Sequence, residues 1–600
     1  MSYVNNRRFR GNPRAVVSAI GGAVVMSRTS GQTPCFVHVS ASGITATGTD
    51  VPYEDLEIRV DFGDPTGTEL FTDPNTGQIY NANIQYGADL PYCYRSAGVY
   101  TVTMRVRGLT SGGEFLTEVF TSEVTVTAFD TSAGEMWFDS VAGSDANDGL
   151  SIEAPKQTIT AVRAAVVSNR AMNIKRGSHY TGTQGISLTA NTVAGLRIRP
   201  YGSGAAPIIE ITSGTAEAFF GSNGTAGNQR PKTDIVISGL DLRQSVGGSA
   251  LQISATSNAV AVIEDVYIDN CSMYSAADTG VTTCVMQFSD AKTRRQGLWN
   301  CSISAPLASG TGLKHGVYGG AYEWFFCIGG SIEGGGTSAT LDHHMYIQTH
   351  NHSSYKWINF GQGNGRNYCI NANLSQEGAE LEYGQYHYLG DNHFTGTKRG
   401  FDASETSLTI DEIRFKNFVS DGNFFVDLTG DGGIFFYSAE TMTVRGSKVW
   451  GCDDGRWFAP VEDAGLLGLA ISTILKAKVY DNDIHFSATS TFQAITFSRA
   501  FTEAQQITDN RIVDLRAAAE AIRVNFAGAT AAGDLIDYNQ VYAPNDTTMM
   551  FDGATAKTWA EWQAAGFDAG GSNTDPAWID PAAGVFDLPA GRMRMGLRAG

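Results

Sequence analysis

Along the back two-thirds of the chain a short pattern keeps returning: an apolar residue or two, a polar gap, an Asn, then apolar residues again. It is read at Asn270, Asn300, Asn359, Asn392, Asn417, Asn482, Asn510 and Asn539. Single steps are 30 residues from 270 to 300, 25 from 392 to 417, 28 from 482 to 510 and 29 from 510 to 539. The wider gaps, 300 to 359 and 417 to 482, each fit two units with one imperfect copy. So steady a period predicts a solenoid, whose coils bury their apolar faces only against one another. Asn at a fixed turn tolerates the left-handed conformation and bonds nearby backbone, so the eight are expected as a turn ladder.

Upstream the pattern changes. Residues 33–128 carry short runs of alternating apolar and polar positions, at 35–39, 56–60, 99–106 and 123–127. Such runs with turn residues between them predict a small antiparallel β-sandwich. Residues 1–30 read as an arm or attachment segment. The apolar stretch 15–26 is too short to span a bilayer. It follows basic residues, as in a signal peptide, but no A-x-A-like cleavage site comes after it. An outward-facing protein of this kind is expected to leave the cell by another route, such as on a virus particle.

Composition narrows the partners. Sixty-one acidic residues against 42 basic ones give a net charge of −19, a field that repels nucleic-acid phosphates and anionic membrane surfaces. Neither nucleic acid nor membrane is an expected partner. Gly at 69 and Pro at 16 suit many short strands and tight turns. Eight cysteines in 600 residues do not make a disulfide scaffold. Cys271 and Cys301 share one slot of the repeat and read as small core residues. Cys35 and Cys93 lie on two predicted strands, where a bridge and a pair of free thiols are both open.

Two resemblances follow from particular residues. Asp61-Phe62-Gly63-Asp64, followed by Ala97-Gly98-Val99-Tyr100-Thr101-Val102-Thr103, resembles the polycystic-kidney-disease-type domain, although Val60 stands where that family usually has Trp. The likeness covers about 95 residues and implies an accessory β-sandwich over 31–130, not a chemistry. Next, Trp137-Phe138-Asp139, the loop Gly143-Ser144-Asp145-Ala146-Asn147-Asp148-Gly149 and a helical stretch over 158–167 resemble the opening segment of right-handed parallel β-helix proteins of the pectate-lyase-like superfamily. A short helix over 559–567 and the phrase Asp575-Pro576-Ala577-Trp578-Ile579-Asp580-Pro581 resemble its closing segment. This likeness implies an all-β chain, with a parallel β-helix over 131–600 capped at both ends, and a glycan groove on its outer face at mid-solenoid.

Candidate chemistry collects there. Seven of ten histidines lie between 315 and 393, among many aromatic residues. If Met345 and Ile347 point inward, strict alternation puts His344, Tyr346 and Gln348 on the outer face. An inward Val317 likewise puts Lys314 and Tyr318 outside. Tyr346 follows Tyr318 by 28 residues, one coil, so their rings can stack and offer faces to sugar C–H surfaces. Trp324, Trp357, Arg366 and Tyr386 are further expected binding residues. An inward Leu381 sets Glu380 and Glu382 on one face about 6.6 Å apart, a pair suited to glycoside hydrolysis. A lyase needs a base for the C5 proton, an acid for the leaving oxygen and a cation for the carboxylate. His344, Tyr346, Lys314, Arg366 and Tyr386 are the residue types for those roles. Asp145, Asn147 and Asp148 are hard-oxygen candidates for calcium, against a hydrogen-bonded turn.

Three functions stay open. One is a phage tail spike or fibre that recognises and cleaves a host surface polysaccharide, with its arm on other virion proteins and, by analogy with tail spikes of this shape, a homotrimer. Another is a secreted bacterial polysaccharide lyase or glycosidase. The last is a structural or adhesive virion or surface protein without catalysis. All three place the chain on a virion surface or outside the cell.

Overall fold

The computed structural model describes residues 11–578, apart from 189–191, 215–216, 223–230, 247, 255–262, 277–282, 290–292, 308–313, 320–322, 336–342, 348–350, 362–367, 373–383, 397–398, 404–414, 429–431, 437, 453–457, 461–472, 488–493, 498–504, 520, 525–534 and 553–554. Alternation builds the first unit as expected. On the strand Gly98–Leu109, Tyr100, Val102, Met104 and Val106 are buried while Val99, Thr101 and Arg105 face out. That strand sits in a five-stranded sheet between Phe115–Thr127 and Glu57–Asp61, with Ser30–Gln32 and Ile84–Tyr86 at its edges. A three-stranded sheet of Asp89–Tyr94, Cys35–Ser40 and Val25–Met26 lies apart from it.

One expectation is corrected here, and one open alternative is decided. Residues 11–30 are not a free arm: Ala19–Gly22 pairs with Ile44–Thr47, and Val25 and Met26 pair with Ser40 and Val39. Cys35 and Cys93 are free and buried, on neighbouring strands of the three-stranded sheet.

From residue 135 onward the strands form parallel ladders. A first wall runs through Arg170–Lys175, Val193–Tyr201, Lys232–Ser238, Ile263–Asp269 and their successors to Leu535–Asp537; a second runs from His179–Gly182 to Gln540–Tyr542; a third runs from Ile186–Ser187 to Met550–Asp552. The helix Pro52–Asp55 (α1) belongs to the sandwich; Ile159–Ala164 (α2) and Trp559–Ala564 (α3) cover the two ends of the solenoid core, burying Val162 and Trp562 completely. Thr158 caps α2 and Thr558 with Glu561 makes a capping box on α3.

The corner between first and second walls corrects the Asn ladder. Each coil turns there through a residue of positive φ: Asn270, Asn300, Gly329, Trp357, Asp391, Gly422, Gly446, Asp481, Asp509 and Tyr538. The next residue points into the core, and this is the ladder proper. Asn392, Asn423, Asn482, Asn510 and Asn539 are fully buried, and each accepts at Oδ1 from the backbone N–H of the coil before, as in Asn482 N to Asn510 Oδ1 (3.3 Å) and Asn510 N to Asn539 Oδ1 (3.1 Å). Cys271 and Cys301 hold the same inward slot in earlier coils, as expected of core residues. Asn270 and Asn300 stand one residue earlier, at the exposed left-handed corner, whereas Asn359 opens a second-wall strand and Asn417 lies within a first-wall strand.

The ladder ends on Asp568, whose Oδ1 accepts from Asn539 N (3.0 Å) and Asn539 Nδ2 (2.8 Å) and whose Oδ2 accepts from Trp562 Nε1 (2.9 Å). Burial pushes this carboxyl up to about 6. A carboxyl raised in the folded state stabilises most when protonated, so its contribution is full below the unfolded value near 3.9 and is lost as pH rises through about 6. The C-terminal cap is therefore expected to be weaker at pH 8 than at pH 5 by about 1.4 kcal/mol. Amide exchange of α3 at the two pH values measures this, and Asp568→Asn should flatten the difference.

The sandwich lies along the outer face of the first wall. Its strands Cys35–Ser40 and Asp89–Tyr94 are buried at every position, because they have a core on both faces. Phe36 stacks on Tyr267 (4.5 Å) and Phe71 on Trp357 (5.3 Å). Arg95 donates to both oxygens of Asp269 (2.6 and 2.9 Å), Ser354 to Asp89 O (2.8 Å) and Arg445 to Glu54 O (2.8 Å). The first wall is thus covered from Tyr267 to Arg445.

Candidate functional site

The third wall carries several of the candidate residues. Its central strands are Thr283–Ser289, Lys314–Gly319, His343–Ile347, Tyr368–Ala372, Arg399–Ala403 and Gly432–Phe436. Pairing is recorded at His315 with His343 and at Val317 with Met345, but not between Gly316 and His344. A Cβ built on Gly316 would meet Ile332 Cγ2 at 2.7 Å, so this slot faces the core. His344 fills the same slot one coil on. It is 1% exposed and lies over Phe360 (6.1 Å), itself stacked on Phe394 (4.8 Å). Burial alone holds its imidazole down to about 4, apart from a small opposing backbone contact.

Two consecutive inward residues, His344 and Met345, reverse the alternation. His344 is therefore not the outer-face catalytic residue that strict parity predicted; His343 takes the outer position, together with Tyr346. Gly316 and Val317 do the same one coil earlier and put His315 beside Tyr318. The step of 28 residues from His315 to His343, equal to that from Tyr318 to Tyr346, was the signal in the sequence that pairs them.

The four rings form one cluster. Tyr318 and Tyr346 are half-buried and lie nearly parallel, 5.4 Å apart with 8° between planes. His315 sits 5.5 Å from each tyrosine and 5.2 Å from His343, and His343 meets Tyr346 edge-on at 5.4 Å. Both imidazoles are buried, and burial holds His315 down to about 4, so it is neutral at physiological pH. Parallel phenol rings with imidazoles beside them offer apolar faces and hydrogen-bonding edges on one strand-built surface. By register, Tyr368 and Arg399 continue the column of His315 and His343, and Asn371 and Asp402 continue that of Tyr318 and Tyr346. None of these four was singled out in the sequence, since coil register is not visible there.

Other expected residues fall elsewhere. Trp357 is 2% exposed between Phe71 and Tyr80 of the sandwich. Trp324 stacks on His352 (3.9 Å) and His352 on Tyr386 (5.0 Å), with His38 and Tyr53 of the sandwich edge-on to the two ends. These three predicted sugar-binding residues belong to the first wall and its seam with the sandwich, not to a shared trough with Tyr346. The reason is docking: aromatic rings on that wall pack against protein. Lys314 lies in a third-wall strand. Gln348, Arg366, Glu380 and Glu382 lie outside the described residues. Of the remaining histidines in the cluster, His387 bonds Ser353 Oγ in the interior (2.6 Å) and His393 Nδ1 meets Asn75 Oδ1 (2.9 Å).

The loop of Asp145, Asn147 and Asp148, open between calcium and a hydrogen-bonded turn, is a hydrogen-bonded turn. Asp145 Oδ1 accepts from Gln157 N (2.9 Å) and Thr158 N (3.0 Å) and its Oδ2 from Thr158 Oγ1 (2.6 Å), tying the loop to the start of α2. Asn147 donates to Pro155 O (2.8 Å) and Asp148 accepts from Leu150 N (2.9 Å). These side chains serve separate local bonds, and among the described residues no group of three His, Cys, Asp or Glu converges on a cation position.

No protein-family model matches the chain, and no curated protein matches it. Among solved structures it is similar to a GH136 lacto-N-biosidase from Eubacterium ramulus, at 12% identity and a TM-score of 0.30 over 70% of this chain and 66% of that one. The chain thus spans about two-thirds of that protein's length. It is also similar to an alginate lyase from Paenibacillus sp. str. FPU-7, at 12% identity and a TM-score of 0.25 over 66% of this chain and 96% of that one. A family 28 exopolygalacturonase of Yersinia enterocolitica matches at 9% identity and a TM-score of 0.25 over 93% and 98% of the two chains.

Proposed function

We propose that the chain recognises an extended polysaccharide on the outer face of its third wall and cleaves it by elimination. The observation that carries this reading is the parallel, half-buried pair Tyr318 and Tyr346, one coil apart, with His315 and His343 against them. Coils repeat about every 4.8 Å, close to the length of one extended sugar unit, so successive rungs meet successive sugars. A tyrosine hydroxyl beside a neutral imidazole is a group that can exchange the C5 proton of a uronic acid and protonate the leaving oxygen. The negative body of the protein lets a cation at the site, more than bulk charge, decide whether an acidic chain is held. We place this activity on a host-facing surface, as in a tail spike.

Tyr318→Ala and Tyr346→Ala should each weaken binding to the cognate glycan about tenfold, with the double variant weaker still. Affinity electrophoresis against capsular, alginate-like and pectin-like polysaccharides measures it, and ultraviolet absorbance of the unsaturated product reads elimination. A double variant that binds and cuts like the parent would move the site off the third wall.

A further inference from the structure

One column of first-wall residues carries backbone strain. Near the start of three successive first-wall strands, Trp324, His352 and Tyr386 have φ of 63°, 56° and 63°. The same slot holds Gly195, Asp234, Asp265 and Arg295 in earlier coils and Asn417 in the next. All of these but Arg295 are types that tolerate the left-handed region. Bulky rings there are outliers, and outliers of this kind gather at ligand sites.

A second observation is independent of the strain. His352 lies between the other two rings, and all three are half-buried. Its Nδ1 faces the sandwich, 3.4 Å from Asp89 Oδ1, and His38 Nε2 stands 3.1 Å from the same oxygen. Asp89 is fully buried, and its Oδ2 accepts from Tyr53 OH (2.6 Å) and Ser40 Oγ (3.0 Å). Neither Asp89 Oδ1 nor His352 Nδ1 has an aligned hydrogen-bond partner among the described residues. The two are in contact but short of a full bond, as acid–base pairs often are before a ligand tightens them. His352 Nε2 also has no partner among the described residues, but it is not buried: it opens to solvent through the 13% of the side chain that is exposed.

We infer that Trp324, His352 and Tyr386 form a second ligand site, at the rim of the seam between sandwich and solenoid, and that it takes a neutral sugar residue. A carboxylate behind Nδ1 keeps the ring proton there and leaves the Nε2 lone pair outward, so the ligand must donate, as a sugar hydroxyl does. The buried charge of Asp89 beneath the site, on a chain of net charge −19, disfavours an anionic ligand. Trp324 and Tyr386 on either side supply an apolar rim for the sugar ring. This site does not rest on the third-wall reading: there the ligand is a uronic acid chain, here an uncharged sugar.

The test is carbethoxylation of the full chain with diethyl pyrocarbonate, read by peptide mapping of the modified histidines. His352 is expected to react faster than buried His38, His315, His343 and His344. Neutral oligosaccharides derived from starch, cellulose and galactan are then added in turn. At least one should slow modification of His352 about tenfold while leaving exposed His179 unchanged, and uronic-acid oligosaccharides should not. Asp89→Asn should raise the sugar concentration needed about tenfold. A His352 as slow as His38, no protection by any neutral sugar, or protection by acidic sugars or a simple amine instead would overturn the site, and none of these readouts needs a variant. Protection should survive in the Tyr318→Ala/Tyr346→Ala double variant, and its loss there would overturn the claim of a second site. Protection kept while polysaccharide binding stays at the parental level in that double variant sinks only the third-wall reading.

Discussion

Asn510→Leu is expected to destabilise the C-terminal coils by about 4 kcal/mol. Asn510 Oδ1 accepts from Asn482 N and from Asn482 Nδ2 (2.9 Å), while its Nδ2 donates to Val479 O (2.9 Å) and to Asn539 Oδ1 (3.0 Å). All of this is buried. Leucine has the branching of Asn but more bulk and no polar atoms, so it takes the Asn510 bond away from Asn482 N, Asn482 Nδ2, Val479 O and Asn539 Oδ1 and crowds the slot, although Asn482 Nδ2 keeps Val444 O and Asn539 Oδ1 keeps the Asn510 backbone N–H. Each buried unsatisfied group costs about 1–3 kcal/mol, and relaxation recovers part of the sum. Asn300→Ala makes the contrast. Asn300 is exposed at the left-handed corner with φ 52°, and the cost there is backbone strain of about 1 kcal/mol. Amide exchange through 482–539 and denaturant melting distinguish the two. If Asn510→Leu costs no more than Asn300→Ala, the buried ladder does not hold these coils together.

The same pair of positions shows how far the sequence could be read. The recurring Asn and its steps near 28–30 residues do mark coils, and the strands stack as a parallel β-helix. Yet Asn is favoured in two adjacent slots for different reasons. At the corner it tolerates positive φ, and in the interior its amide satisfies backbone groups of two coils. A one-residue slip between Asn300 and Asn392 is therefore invisible in a list of Asn positions, and Asn423 was missed because Gly422 precedes it at the corner. The site suffered from a related limit. Alternation assigns faces only while the strand is regular, and the irregularity at Gly316 and His344 exchanged the roles of His343 and His344. The wall to which a ring belongs was also not legible, since Trp324, Trp357 and Tyr346 lie within 34 residues of one another on different walls.

Trp299→Ala should have the other large effect, separating the sandwich from the solenoid and costing about 4 kcal/mol. Trp299 is 1% exposed at the centre of the seam. Its ring lies edge-on to Phe71 (4.9 Å), Phe36 (5.8 Å) and Phe326 (6.1 Å). Its Nε1 donates to Glu69 Oε2 (2.7 Å), a carboxylate also held by Arg95, which bridges onward to Asp269 of the same wall. Alanine removes the ring that fills the space between the two units and leaves Glu69 with one partner fewer. Trp299→Phe keeps most of the packing and loses only the charge-assisted bond, so it should cost about 2 kcal/mol. The expected readout is a single unfolding transition in the parent that splits in Trp299→Ala, with the junction near 128–134 becoming cleavable by protease. The strands Cys35–Ser40 and Asp89–Tyr94 already forecast this dependence, because with apolar residues on both faces they cannot form a soluble sheet surface alone. A variant that melts in one transition at the parental midpoint would show that the seam is held by its ion pairs and not by the aromatic packing around Trp299.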